Sequence, residues 1–130
     1  MPVSWIKVDD REVMNIDYRL LSDEDITSLA KEVAPMLHEQ EDGKLLAIVN
    51  FDKTDISIKM YSTITTLTGD VFNKKHERAV FVGMSGIKKI MFNTYTRMFN
   101  TNLRIRDSEQ EAIQYFEKYI AKSKISDTDF

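Results

Sequence analysis

Hydrophobic and polar positions along the chain follow three different rhythms, and each predicts a different element. Met14, Ile16, Tyr18 and Leu20 alternate with Asn15, Asp17 and Arg19, a period of two that predicts a half-buried strand. It pairs as a hairpin, through Asp9-Asp10-Arg11, with a first strand over Val3 to Val8. Leu45 to Val49 is a continuous apolar run, the pattern of a central strand covered on both faces. Ala79 to Val82 is a second such run. The turn Gly83-Met84-Ser85-Gly86 follows it, and then Ile87, Ile90, Met91, Thr94 or Tyr95, and Met98 recur at helical spacing. This strand-turn-helix unit, residues 79–100, is the stretch around which the rest is organised.

The other helices are read from caps and stripes. Ser22 with Asp25 opens a helix whose apolar face is Ile26, Leu29, Ala30, Val33 and Leu37, with Pro35 predicting a kink or restart. Met60, Ile64, Leu67 and Val71 keep helical spacing, but a threonine-rich run and Gly69, which costs about 1 kcal/mol inside a helix, oppose it. Asn73 to Arg78 reads as a charged connector. Leu103 and Ile105 alternate with Arg104 and Arg106, which suits a short strand near a sheet edge. Ser108 and Glu111 form a capping box before the stripe Ala112, Ile113, Phe116 and Ile120. The expected architecture is therefore α/β: a mixed, largely parallel sheet of about five strands with four flanking helices. Residues 1–121 form one domain in this reading, and 122–130 a polar, frayed tail. Ligands of such sheets gather beyond the carboxyl ends of the strands, here the loops at 50–57, 83–86 and 107–108.

Composition narrows the function classes. The 130 residues are 42% hydrophobic, enough for one core, and contain no cysteine, which excludes disulfides, thiolate metal sites and a cysteine nucleophile. A formal net charge of -3 supplies no general field for DNA or RNA, so no nucleic-acid partner is expected. No apolar run is long enough for a transmembrane segment, and the first residues, MPVSWIKVDD, lack the character of a signal peptide, so a cytoplasmic location is expected.

Few residues carry candidate chemistry. Gly83, Ser85 and Gly86 could offer free amides and a hydroxyl to an anion or ligand, with Lys88 and Lys89 adding charge; the plainer reading is that Ser85 caps its helix. The segment is no nucleophile elbow, because Ile87 stands where G-x-S-x-G requires glycine, and both His38 and His76 precede the serine. Neither histidine has metal-ligand spacing, and the acidic clusters lack the pattern of a calcium loop, so no metal or cofactor is expected. Asp17 and Asp52 would be paired carboxylates only if their strands are neighbours pointing to one end. Phe92, Tyr95 and Phe99 widen the apolar arc of the third helix beyond one buried stripe, marking a candidate interaction face or one wall of a lipid-sized cavity.

The strand ending Ile16-Asp17-Tyr18 before an acidic helix start, the strand Leu45 to Asp52, the segment AVFVGMSGIKKI and the terminal DSEQEAIQYF together resemble the STAS-like domains, and most nearly their SpoIIAA-like branch. The resemblance spans about residues 12–120. It implies a small cytoplasmic domain that works by binding rather than catalysis. In the antagonist proteins of this superfamily, a serine or threonine beside an aspartate after the central strand is phosphorylated by a partner kinase. That loop falls on Asp52-Lys53-Thr54-Asp55, which makes Thr54 with Asp52 the candidate phosphosite, although Asp55 stands where the family has glycine. The branch also resembles CRAL-TRIO lipid carriers in shape.

Three functions are thus expected in order. The first is a non-catalytic interaction or regulatory module that binds a protein partner or itself. The second is a carrier or sensor of a small apolar or anionic ligand, held between helices and sheet near Ser85-Gly86. The third is an enzyme of unknown chemistry.

Overall fold

The computed structural model describes residues 2–99 and 102–128, and the side chains of residues 98, 99 and 126–128 lie outside that description. Strand β1 (Val3–Val8) turns through Asp9 and Asp10 into β2 (Arg11–Asp17), and helix α1 (Asp23–His38) leads to β3 (Leu45–Asn50). Helix α2 (Ile58–Ile64), a π-helical stretch (Thr65–Gly69) and α3 (Asp70–Lys75) run on without a break to β4 (His76–Val82). Helix α4 (Ile87–Phe99), β5 (Leu103–Arg106) and α5 (Glu109–Thr128) complete the chain. The sheet order is β1-β2-β3-β4-β5, with β1 antiparallel to β2 and the other pairs parallel. This is the expected α/β architecture: five strands in a mixed sheet and four helical units.

The order of the strands decides where the helices go. From β2 to β5 each crossover steps to the adjacent strand in the same direction, and right-handed crossovers that advance one way stack on one face. Accordingly α1, the α2–α3 unit and α4 share one core with Met14, Ile16, Ala47 and Val49. Helix α5 has no further strand to reach and folds back over the other face, burying Ala112, Phe116 and Ile120 on Leu46, Ile48, Val80 and Val82. Strand β3 lies between the two cores with every residue buried, as its unbroken apolar run predicted.

Local readings hold where chemistry is local. Ser22 Oγ accepts from the Asp25 amide at 3.2 Å. Ser108 Oγ accepts from the Glu111 amide at 3.1 Å while the Glu111 carboxylate returns to the Asp107 amide at 3.0 Å. Helix α1 passes through Pro35 as one element, with the ring on the exposed side. The carbonyl left by the missing amide is that of Lys31, itself exposed, so water can satisfy it.

Three expectations change. The doubtful second helix is resolved by a π-helical stretch, so the threonines and Gly69 loosen the helix for one turn instead of ending it. The charged connector dissolves: Asn73 to Lys75 belong to α3, and β4 starts at His76 rather than Ala79. Its charges face partners that the local sequence does not reveal. Glu77 accepts from Arg11 Nη1 at 3.1 Å and Nη2 at 3.0 Å, and from the Tyr119 hydroxyl at 2.5 Å, tying β4 to the hairpin and to α5. Helix α5 continues to Thr128 instead of yielding to a tail at residue 122.

Edge strand β5 is protected by its own side chains. The Asn102 and Arg106 carbonyls accept from Ala79 and Gly83 on the β4 side, so strand alternation turns those of Leu103 and Ile105 outward. Arg104 Nη1 and Arg106 Nη1 donate to these two carbonyls at 2.9 and 2.7 Å. The outer acceptors are thereby occupied, and positive charge covers an edge that could otherwise recruit another strand.

Exits from β3 and β4 interlock. At Gly83 (φ +78), a Cβ would fall inside the van der Waals radius of the Asp52 backbone, whereas Gly86 (φ +58) has open space around it. Gly83→Ala should therefore lower unfolding free energy by about 3 kcal/mol or more, and Gly86→Ala by about 1–2 kcal/mol, the left-handed backbone cost alone, in urea titrations. Glu77 gives a pH test. Burial alone would raise its pKa, but bonds from Arg11 and Tyr119 outweigh burial and hold it below the ordinary glutamate value of about 4.5. With the folded value below the unfolded one, the stabilisation exists above about 4.5 and is lost as pH falls through the folded value. Glu77→Gln should be less stable than wild type at pH 7, and its unfolding free energy should fall less steeply below pH 4.5.

Candidate functional site

The predicted anion site is not assembled at its turn. Gly86, not Ser85, caps α4: its carbonyl accepts from the Lys89 amide at 3.1 Å and the Ile90 amide at 3.4 Å. Ser85 is exposed, and its amide is already bonded to the Gly83 carbonyl at 3.1 Å. Lys88 reaches away from the serine and donates to the Phe51 carbonyl at 2.9 Å, so it fastens α4 to the exit of β3.

Thr54 and Asp52 also serve the backbone. Thr54 is 3% exposed; its hydroxyl donates to the Tyr18 carbonyl at 2.7 Å and accepts from the Leu20 amide at 2.9 Å. It joins the loops after β2 and β3, which take left-handed conformations at Leu20 and Lys53. A kinase can reach this hydroxyl only if both bonds open. Asp17 and Asn50 are register partners on parallel neighbours, the arrangement that the carboxylate pair required. Yet Asp17 is held by Arg19 through Nε at 2.9 Å, Nη2 at 2.8 Å and its amide at 3.0 Å. Burial opposes that pairing without prevailing, so Asp17 lies below the usual carboxylate range and stays ionised at neutral pH.

The histidines stand apart. His38 is exposed at the end of α1. His76 is buried against Phe72, whose carbonyl lies 2.8 Å from Nδ1, and burial lowers its pKa. Among the described residues no His, Cys, Asp or Glu cluster could hold a metal.

What the structure does assemble is an apolar cavity of about 60 Å³ between the sheet and the helices α1, α2–α3 and α4. Its lining includes Tyr18, Phe51, Tyr61, Phe72, Phe92 and Tyr95. Phe92 and Tyr95, whose apolar arc suited either an interaction face or a cavity wall, are 6% and 8% exposed and turn into this space. Phe99 closes α4 with its side chain outside the described residues. The π-helical stretch supplies Thr65, Thr68 and Gly69 to the wall, and π bulges recur where a helix must present its backbone to a site. Tyr61 OH donates to the Met91 carbonyl at 2.8 Å, Tyr95 OH to the Gly69 carbonyl at 3.1 Å, and Thr68 Oγ1 to the Ile64 carbonyl at 2.7 Å. Burial pushes the Tyr61 phenol up to about 12 and raises that of Tyr95 as well. The lining contains no carboxylate, amine, guanidinium or imidazole, so nothing in it is ionised at neutral pH. Local pattern gave one clue to this space, the overly wide apolar arc of α4; neither Tyr18 nor the π-helical wall could be read as part of it.

No protein-family model matches the sequence, and a search of curated proteins gives no match. Among solved structures the chain is similar to an uncharacterized protein of the DUF3478 family from Shewanella loihica PV-4, described as having a SpoIIAA-like fold. The TM-score is 0.66 at 12% identity, over 87% of this chain and 90% of that one. The strand order, the crossovers on one face and this likeness together establish that the chain has the SpoIIAA-like fold.

Proposed function

We propose that the chain is a non-catalytic binding protein of the cytoplasm that carries or senses a small apolar ligand in the cavity between its helices and sheet. One observation carries the reading: the core keeps an apolar void ringed by aromatic side chains. Native interiors are close-packed, and leaving 60 Å³ empty costs about 1.4 kcal/mol at about 24 cal/mol per Å³. A dry apolar cavity of about 150 Å³ holds benzene, so this smaller one suits a compact ring or short alkyl group, with more room if the α2–α3 wall yields. The anionic variant of the expectation loses its support, since the lining has no cation and Lys88 is engaged with Phe51.

The carrier reading also has a route of entry. A surface groove between α2 and α4, lined by Ile58, Ile90 and Met91, shares Tyr61 and Thr65 with the cavity wall. Those two side chains are all that the groove and the cavity have in common. The same groove favours a second reading, the interaction module, but at other residues than expected. Ile58, Ile87 and Ile90 are 68%, 50% and 66% exposed, while Phe92 and Tyr95 are withdrawn.

Native mass spectrometry of protein taken gently from its own cells tests the first reading, with an added small mass released by solvent as the expected result. Cyclopentane should raise the Tm of the purified protein, and Val49→Leu, which fills part of the space, should weaken that shift at least several-fold without loss of fold. Bare polypeptide, together with no cyclopentane shift in wild type, would reject the carrier. The second reading predicts self-association or partner capture that Ile90→Ser removes, as sedimentation velocity would show.

A further inference from the structure

Tyr18 differs from the other two tyrosines of the cavity wall. It follows β2, stacks on Phe51 with ring centroids 4.9 Å apart, and is 2% exposed. Its backbone is fully used: its amide donates to the Asn50 carbonyl at 2.9 Å and its carbonyl accepts from Thr54 at 2.7 Å. Its phenolic hydroxyl has no hydrogen-bond partner among the described residues, although the ring lines the cavity. Tyr61, Tyr95 and Thr68 have each committed their proton to a backbone carbonyl. Tyr18 has not.

The hydroxyl oxygen is not sealed in protein, since the fully buried side-chain atom left without a partner among the described residues is Asn15 Oδ1, so it borders open space. A hydroxyl cut off from bulk water with no partner is unfavourable by up to roughly 1–3 kcal/mol, and a phenylalanine here would keep the ring stack without that penalty. Retention of the oxygen at the edge of an otherwise apolar space is therefore informative. Resting on the apolar-ligand reading above, we propose that the Tyr18 hydroxyl is the polar contact of that site, and that the ligand is an uncharged apolar molecule with one oxygen acceptor, a carbonyl or hydroxyl, set against it. The class follows from the wall. Burial raises the Tyr18 phenol above its ordinary value, so it is a proton donor at any physiological pH. Its natural complement is an acceptor. A carboxylate would meet no cation in the lining, and a pure hydrocarbon would leave the hydroxyl unsatisfied.

The test compares cyclopentanone with cyclopentane on wild type and Tyr18→Phe, by ligand-observed NMR titration, with cyclopentanecarboxylate as the charged control. One hydrogen bond of ordinary net strength predicts a three- to tenfold loss of cyclopentanone affinity in Tyr18→Phe, with cyclopentane affinity unchanged. The empty variant should have an unchanged or higher Tm, since it loses no bond of its own. In wild type, the Tyr18 13Cζ resonance should move with cyclopentanone and not with cyclopentane. Equal effects of the substitution on both probes, or carboxylate binding as tight as that of the ketone, would overturn the role of Tyr18 while leaving the cavity reading in place. A lower Tm with parallel loss of both probes would mean the hydroxyl is structural, and overturn it too. No binding of either neutral probe to wild type would overturn the cavity reading together with this inference.

Discussion

Strand β3 has no face toward water, and the rest of the molecule follows from satisfying that condition. An internal parallel strand needs partners on both edges and a layer on both faces. Its edges are met by β2 and β4. One face is met by the three crossover units, which right-handed connection forces to the same side. That leaves the second face to whatever follows the last strand, and α5 has the length and the Ala112, Phe116 and Ile120 stripe to cover it. The two sides are therefore built differently. A single helix lies flat on one, while three helical units must fit together on the other, and the cavity lies where they meet.

The carboxyl ends of the strands, where a ligand site is ordinarily sought in such sheets, are here occupied by the protein itself. Gly83 lies against Asp52, Lys88 donates to Phe51, and Thr54 bridges Tyr18 and Leu20. Each of these residues looks chemical in isolation, and each is spent on holding the loops together. Closure of these loops keeps the top of the helix-side core intact. It also moves the search for function inward, from the rim to the space beneath it.

Legibility follows the range of the interaction. Both capping boxes were readable because donor and acceptor lie within four residues of one another. So was β3, whose apolar run needs no partner to be recognised. The start of β4 was not readable, because His76, Glu77 and Arg78 look like a solvated connector until Arg11 and Tyr119, distant in sequence, arrive beside Glu77. Likewise the wide apolar arc containing Phe92 and Tyr95 was visible, but its direction was not: the same residues serve an outer face or an inner cavity, and only the position of the α2–α3 unit chooses between them. The π-helical stretch shows the same limit. Threonines and Gly69 signalled a weak helix, while the Tyr95 hydroxyl on the Gly69 carbonyl, which helps hold the loosened turn in place, comes from another element.

By itself the sequence determined the element order, the α/β class and the strand covered on both faces, because periodicity, capping and turn chemistry act over a few residues. It also determined what is missing from this chain, thiol chemistry above all, because composition does not depend on folding. Only the tertiary structure decided which polar groups are already satisfied and which are not. That distinction gave Lys88, Thr54 and Asp17 partners within the fold, left Ser85 exposed beside a turn that Gly86 caps, and singled out a tyrosine that the strand pattern marked only as buried. The physical reason is that a hydrogen bond's partner, and the void left when none exists, are properties of packing between distant segments, which no local pattern of residue types encodes.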